Sequence, residues 1–102
     1  AATLLPAFPS IDRDLTVLID EATSWQTIET ATRDVDPSTL HQLEDVEFVT
    51  VFRGGRLPKG RKAVTLRLRF RASDRTLRHE EIVPAVEAIT AGLETLGGEI
   101  RR

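Results

Sequence analysis

Eight basic side chains fall between residues 53 and 71: Arg53, Arg56, Lys59, Arg61, Lys62, Arg67, Arg69 and Arg71. No Asp or Glu interrupts them, and Phe52 stands directly before the first. The chain's formal net charge is −2, so the other residues together carry −10. Cations of that density inside an otherwise acidic chain suit a polyanion. With an aromatic ring at its edge, the pattern fits single-stranded RNA, whose bases stack on rings while arginines hold phosphates. The same alternation of arginines also fits a strand whose outer face is simply solvated, and the pattern alone leaves both open.

Catalytic chemistry finds little support. His41 and His79 are the only histidines and fall on different elements without a clustered partner. No H-x-x-x-H pair occurs, and the absence of cysteine removes thiolate ligands, thiol nucleophiles and disulfides. Glu80-Glu81 and the Asp12/Asp14 pair are better explained by helix-dipole placement and surface charge. The serines lack a nucleophile-elbow context, and Gly54-Gly55 leads into a strand rather than the helix that a phosphate-binding loop requires.

At 102 residues, 40% hydrophobic and 29% charged, the chain has the composition of one ordinary soluble domain. A chain of this length buries roughly 65% of its unfolded surface without metal or disulfide staples. No apolar run approaches the ~20 residues of a membrane span, and residues 1–11 lack the basic start of a signal peptide. A cytoplasmic location and no membrane partner are expected. The first residue is Ala rather than Met, which suggests a piece of a longer protein or a trimmed start.

The elements that must position the basic stretch can be taken in chain order. Residues 1–7 form a lead-in, with Pro6 and Pro9 favouring extended backbone and Phe8 expected as an anchor. Residues 13–20 read as a strand with Leu15, Val17 and Ile19 inward; Leu18 breaks the alternation, as in a central strand with cover on both faces. Thr23 with Gln26 resembles a capping box, so a helix should begin near Ser24 and bury Trp25, Ile28, Thr32 and Val35. Asp36-Pro37 should end it. A short helical turn around Leu40 and Leu43 is expected next. A second strand over 46–52 should put Val49 and Val51 on one face and Phe48, Thr50 and Phe52 on the other. Gly54, Gly55, Pro58 and Gly60 mark a hairpin loop that carries Lys59, Arg61 and Lys62. Residues 62–71 form the clearest strand, with Val64, Leu66, Leu68 and Phe70 inward and Ala63, Thr65, Arg67, Arg69 and Arg71 outward. A helix over 80–96 should bury Ile82, Val86, Ile89, Leu93 and Leu96; Pro84 suits only its start, and Gly97-Gly98 caps it before a last strand over 99–102. The order β-α-β-β-α-β predicts an α+β, ferredoxin-like split βαβ sandwich: a four-stranded antiparallel sheet with two helices on one face and the other face open.

Three motifs then carry a resemblance. Phe8-Pro9-Ser10-Ile11-Asp12-Arg13-Asp14-Leu15 is similar to the F-P-x-x-x-R-D-L opening of the ferredoxin-fold anticodon-binding domain that closes the β subunit of bacterial phenylalanyl-tRNA synthetase. Residues 52–62 resemble that family's Y-R-G-x-x-[IL]-P-x-G-x-K, and Arg75-Thr76-Leu77 followed by Glu80-Glu81-Ile82 resembles its R-T-L-x-x-E-E-[IV]. The resemblance covers residues 8–102. It implies an RNA-holding module for the anticodon stem-loop of tRNA-Phe, with the rest of the synthetase β chain and its α subunit as partners. It implies no cofactor in this domain, while ATP and Mg2+ serve the full enzyme elsewhere.

On the same basis the RNA-binding residues would be Thr50, Phe52, Arg53, Lys59, Arg61, Lys62, Ala63 and Arg67. The family reads bases with an Asp, an aromatic and a Ser at the positions of Thr50, Phe52 and Ala63. Here Phe52 can still stack, Thr50 keeps only a hydroxyl, and Ala63 has no hydrogen bond to give. A neutral hydrogen bond is worth roughly 0.5–1.5 kcal/mol net, so weaker base discrimination is expected. Arg78 stands where the family often has a capping Thr, which would shift the start of the last helix. Those departures keep a structural or assembly domain with weakened RNA contact as an alternative; a ferredoxin-like regulatory domain for a small molecule is another, for which no pocket signature is visible.

Overall fold

The computed structural model describes residues 8–35 and 37–101; the expected lead-in over 1–7, the Asp36 part of the helix stop and Arg102 lie outside them. The fold is built on β3 (Arg61–Phe70), where every second residue is buried without a break. Strict alternation is what a strand between two neighbours and beneath one helical layer requires. β1 (Ile11–Asp20) lies antiparallel on one side of it and β2 (Leu43–Arg53) on the other. β4 (Glu99–Arg101) closes the far side of β1, for a sheet order β2-β3-β1-β4. That is the antiparallel split βαβ sheet expected from the element order.

The helices are α1 (Trp25–Arg33), a single turn α2 (Pro37–Leu40) and α3 (His79–Glu94). Leu15, Val17 and Ile19 of β1, Val64, Leu66, Leu68 and Phe70 of β3, Ile28 of α1, and Ile82, Val86, Ile89 and Leu93 of α3 form one core. Each such aliphatic or aromatic side chain contributes about 1.5–3 kcal/mol by leaving water. Leu18 is buried as well but stands outside that core, on the sheet's second face. Among the described residues no helix is long and apolar enough to cross a membrane.

Several local expectations shift. The cap of α1 is Ser24, whose hydroxyl accepts from the Thr27 amide, and not the Thr23/Gln26 pair. Arg78 is the residue before α3; it has no side-chain acceptor, so the Glu81 carboxylate alone satisfies that end by accepting from the Arg78 amide at 2.9 Å. Because α3 begins at His79, Pro84 falls in its second turn, where the missing N–H leaves one helical bond unmade. Leu96 lies past the helix end and is half-buried. Phe8 is 38% exposed, and its carbonyl rather than its ring ties the segment down, accepting from Arg71 at 2.7 Å. Gly98 lets β4 come close: a Cβ there would stand 2.6 Å from Val17 Cγ2.

The largest departure is in β2. The pairing runs Val46 with Leu68, Glu47 with Arg67 and Phe48 with Leu66, then skips Val49 and resumes with Thr50 opposite Thr65. A β-bulge inserts one residue, so the side-chain parity changes across it. Phe48 therefore lies on the helix side, where its ring meets Trp25 edge-on at 5.5 Å between centroids. Only Thr50 and Phe52 reach the open face. The simple alternation that grouped all three fails at that bulge.

Candidate nucleic-acid interface

The strand registers place the open face in rows that run across the sheet. Nearest the β2–β3 hairpin is Phe52–Ala63–Leu18–Glu99, and next to it Thr50–Thr65–Thr16–Arg101. Farther along come Glu47–Arg67–Asp14 and Asp45–Arg69–Asp12. The first two rows are a platform of one ring, two small or aliphatic side chains and three threonines, ending at Glu99 and Arg101 on β4. Phe52 is 57% exposed. Its ring edge lies against Gly55, where a Cβ would stand 3.3 Å from the ring; the positive φ of 60° there also favours glycine. Ala63 beside it adds no bulk. Thr16 and Thr65 share a hydroxyl–hydroxyl hydrogen bond of 2.8 Å, while Thr50 is exposed. A base laid on the ring would thus have hydroxyls within its plane's reach and phosphate-binding charge on the adjoining loop.

The charge itself is distributed differently from its order in the sequence. Arg67 forms a two-point pair with Asp14, at 2.9 and 3.1 Å, and lies 3.8 Å from Glu47. Arg69 pairs with Asp12 at 3.0 and 3.5 Å, and Arg71 with Glu44 at 2.7 and 3.4 Å. The hydrogen bond from Arg69, then its charge, holds the Asp12 carboxyl below the usual carboxylate range. The hydrogen bonds that Arg67 and Arg69 donate to Asp14 and Asp12 raise the pKa values of the two arginines in turn. Four carboxylates thus answer three arginines, and the far end of the face is not basic.

The expected site residues accordingly separate. Phe52, Thr50 and Ala63 meet on the open face, with Lys59 on the adjoining loop. Arg61 is not on the loop but opens β3, and it donates to the carbonyls of Leu18 (3.2 Å) and Gly97 (3.1 Å), which gives it a backbone-bracing role. Arg53 and Lys62 are register partners one step beyond Phe52 and Ala63, so both fall on the helix side. Lys62 is only 7% exposed. Arg67 shares the face with Phe52 but is held by its carboxylates. Within the basic stretch, Arg53, Arg56, Lys59 and Lys62 have no ion pair among the described residues, and all four gather at the hairpin end. Thr16, Thr65 and Leu18 join the site unannounced, since nothing local in the sequence reveals which residues the register sets beside Phe52.

Comparison with known proteins fits this arrangement. The profile of the ferredoxin-fold anticodon binding domain matches residues 6–101. The chain is 36% identical over 97 residues to the phenylalanine–tRNA ligase beta subunit of Symbiobacterium thermophilum, covering 95% of this chain and 10% of that protein. It is 38% identical over 98 residues to the same subunit of Syntrophotalea carbinolica, covering 95% of this chain and 12% of that protein. A third such subunit, from Clostridium tetani, is 36% identical over 98 residues, with 95% and 12% covered. The chain therefore spans about a tenth of the length of these relatives. With its profile match running almost from end to end and its sheet in the order expected of the fold, the chain belongs to the ferredoxin-fold anticodon-binding family.

Proposed function

We propose that this chain is the anticodon-binding module of a phenylalanine–tRNA ligase β chain and holds the anticodon loop of tRNA-Phe at the hairpin end of its open sheet face. Residues 8–102 form the module, and residues 1–7 link it to what precedes. The rest of the β chain and an α subunit are its protein partners; ATP and Mg2+ act in aminoacylation away from this domain. The observation that carries the proposal is the half-exposed Phe52 ring, set on a flat platform beside the unpaired Arg56 and Lys59 of the loop. Titration with a hairpin RNA bearing the tRNA-Phe anticodon loop tests it. Contact with about four phosphates gives a log–log salt slope near −3. Phe52→Ala should cost about 1–3 kcal/mol of binding, the worth of one base–ring stack. Binding by the wild type that Phe52→Ala leaves unchanged removes the ring from the site.

One observation favours a second reading, a structural or assembly domain with weakened RNA contact: Arg67, Arg69 and Arg71 are already paired with carboxylates. No RNA binding at low salt, or a flat salt response, would decide for it.

A further inference from the structure

Arg53 and Lys62 face each other across β2 and β3 on the helix side of the sheet. With Trp25, Phe48, Val51 and Val64 they line a recess of about 200 Å³. Its aromatic wall is the edge-to-face pair Trp25–Phe48, and Trp25 also opens α1, whose first turn contains no acidic residue. The positive end of the helix therefore adds to the two cations. Arg67, Arg69 and Arg71 are each closed by a carboxylate, but neither Arg53 nor Lys62 has one among the described residues. The stem of Lys62 is buried while its ammonium keeps contact with water, so the charge stays available to an anion. The recess thus joins these two cations without carboxylate partners to an aromatic wall.

The edge position of β2 says where such an anion comes from. Phe52 and Arg53 are consecutive, so their side chains project to opposite faces of the outermost strand. A chain that leaves the Phe52 ring and rounds this edge meets Arg53 next, then Lys62 and the aromatic wall. The recess is below the roughly 300–1,000 Å³ of sites for drug-sized ligands, a size that suits one phosphate and one ring face.

We propose that this recess is a second nucleotide subsite: RNA held on the open face wraps around β2, placing a phosphate between Arg53 and Lys62 and a base against Trp25 and Phe48. The proposal rests on the RNA-holding function above, and the test keeps the two apart. The protein is titrated with the anticodon-loop hairpin RNA at several salt concentrations, as wild type, Lys62→Met, Arg53→Ala and Phe52→Ala. Lys62→Met keeps the stem's bulk without the charge, and Arg53 is exposed, so its replacement gives a folded variant even if the first does not fold. Each charge removal should weaken binding about tenfold, the worth of one charge-assisted hydrogen bond. Each should also flatten the salt slope by about 0.7, the share of one single-strand phosphate. Phe52→Ala should weaken binding with the slope unchanged.

Wild-type affinity and slope in both charge variants, with Phe52→Ala still defective, would overturn the second subsite and leave the RNA face standing. Loss of RNA binding by no variant, because the wild type itself does not bind, would end both. Adenosine 5′-monophosphate is the second probe: if it binds through Lys62 while RNA affinity ignores Lys62, the occupant is a free nucleotide and the wrapping path is wrong. If the charge variants weaken subunit association instead of RNA binding, a protein carboxylate fills the recess, and the proposal also fails.

Discussion

Asp14 controls how far along the sheet positive charge extends. Its two oxygens take both donors of Arg67, and a guanidinium held that way has little left for a phosphate. Asp14→Asn would leave Arg67 facing only Glu47 at 3.8 Å. The RNA-holding function then predicts a several-fold tighter complex, with a salt slope steeper by about 0.7 as one more phosphate is reached. Filter binding or fluorescence anisotropy at two salt concentrations reads both; an unchanged slope would mean that bound RNA stays at the hairpin end. The type of each residue was readable here, but its partner was not. Phe52 as an exposed ring and Thr50 as its neighbour follow from strand pattern and motif, whereas Arg67 as a paired cation depends on a residue 53 positions away in sequence. Lys62 is different: it follows the loop cations in sequence, but the alternation that buries Val64 already turns its side chain inward.

At the scale of elements, the start of α3 is held by electrostatics rather than by a capping hydroxyl. Glu81 accepts from the Arg78 amide and from the Arg75 guanidinium. The hydrogen bond from Arg75, followed by that from the Arg78 amide, lowers the Glu81 pKa below its ordinary 4.5. A carboxyl whose folded pKa is depressed contributes stability that is fully present above its unfolded value. That contribution is lost as pH falls through the lower folded value. Melting temperature should therefore drop on acidification from about pH 5 downward, and Glu81→Gln should be less stable at neutral pH while losing part of that acid dependence. Thermal melts of both proteins between neutral and acid pH measure it; parallel curves would show that the interaction is not coupled to folding. The sequence shows the existence of every main element because hydrophobic period is a local signal. It shows the ends less well: a hydroxyl at 23 or 24 is equally plausible as a cap, and only the backbone conformation of Ser24 decides.

Over the whole molecule, the separation of charge along the chain is largely undone by folding. Residues 1–52 hold ten acids and two arginines, against the acid-free stretch that follows. Antiparallel pairing then lays β1 and β2 on either side of β3 and brings Asp12, Asp14, Glu44 and Glu47 to its arginines. What escapes pairing is the hairpin end, where Arg53, Arg56, Lys59 and Lys62 make no ion pair among the described residues, although Asp20 at the end of β1 and Glu21 after it lie beside Arg61 and Gly60. The family motif and the strand alternation point to the correct sheet and the correct ring. Which cations remain available is a property of register, and register is set by pairings between distant segments.

Val49 is a residue of β2 that the ladder does not count. Its side chain is 38% exposed, and it occupies the extra position between Phe48 and Thr50. Exchanging it for another β-former should matter little, so a substitution scan would rank it among the tolerant sites. Removing it should matter little as well. With Val49 gone, Phe48 still faces Leu66 and Thr50 still faces Thr65, so β2 runs on as a regular ladder with Thr50 and Phe52 on the open face. A deletion of Val49 is therefore expected to keep RNA binding within a few-fold of wild type, as Val49→Thr does; loss of binding in the deletion alone, read by titration, would show that the bend of the bulge aims the Phe52 ring. The position is indifferent to chemistry and to length alike, a slack in the strand that only an insertion-and-deletion scan would reveal.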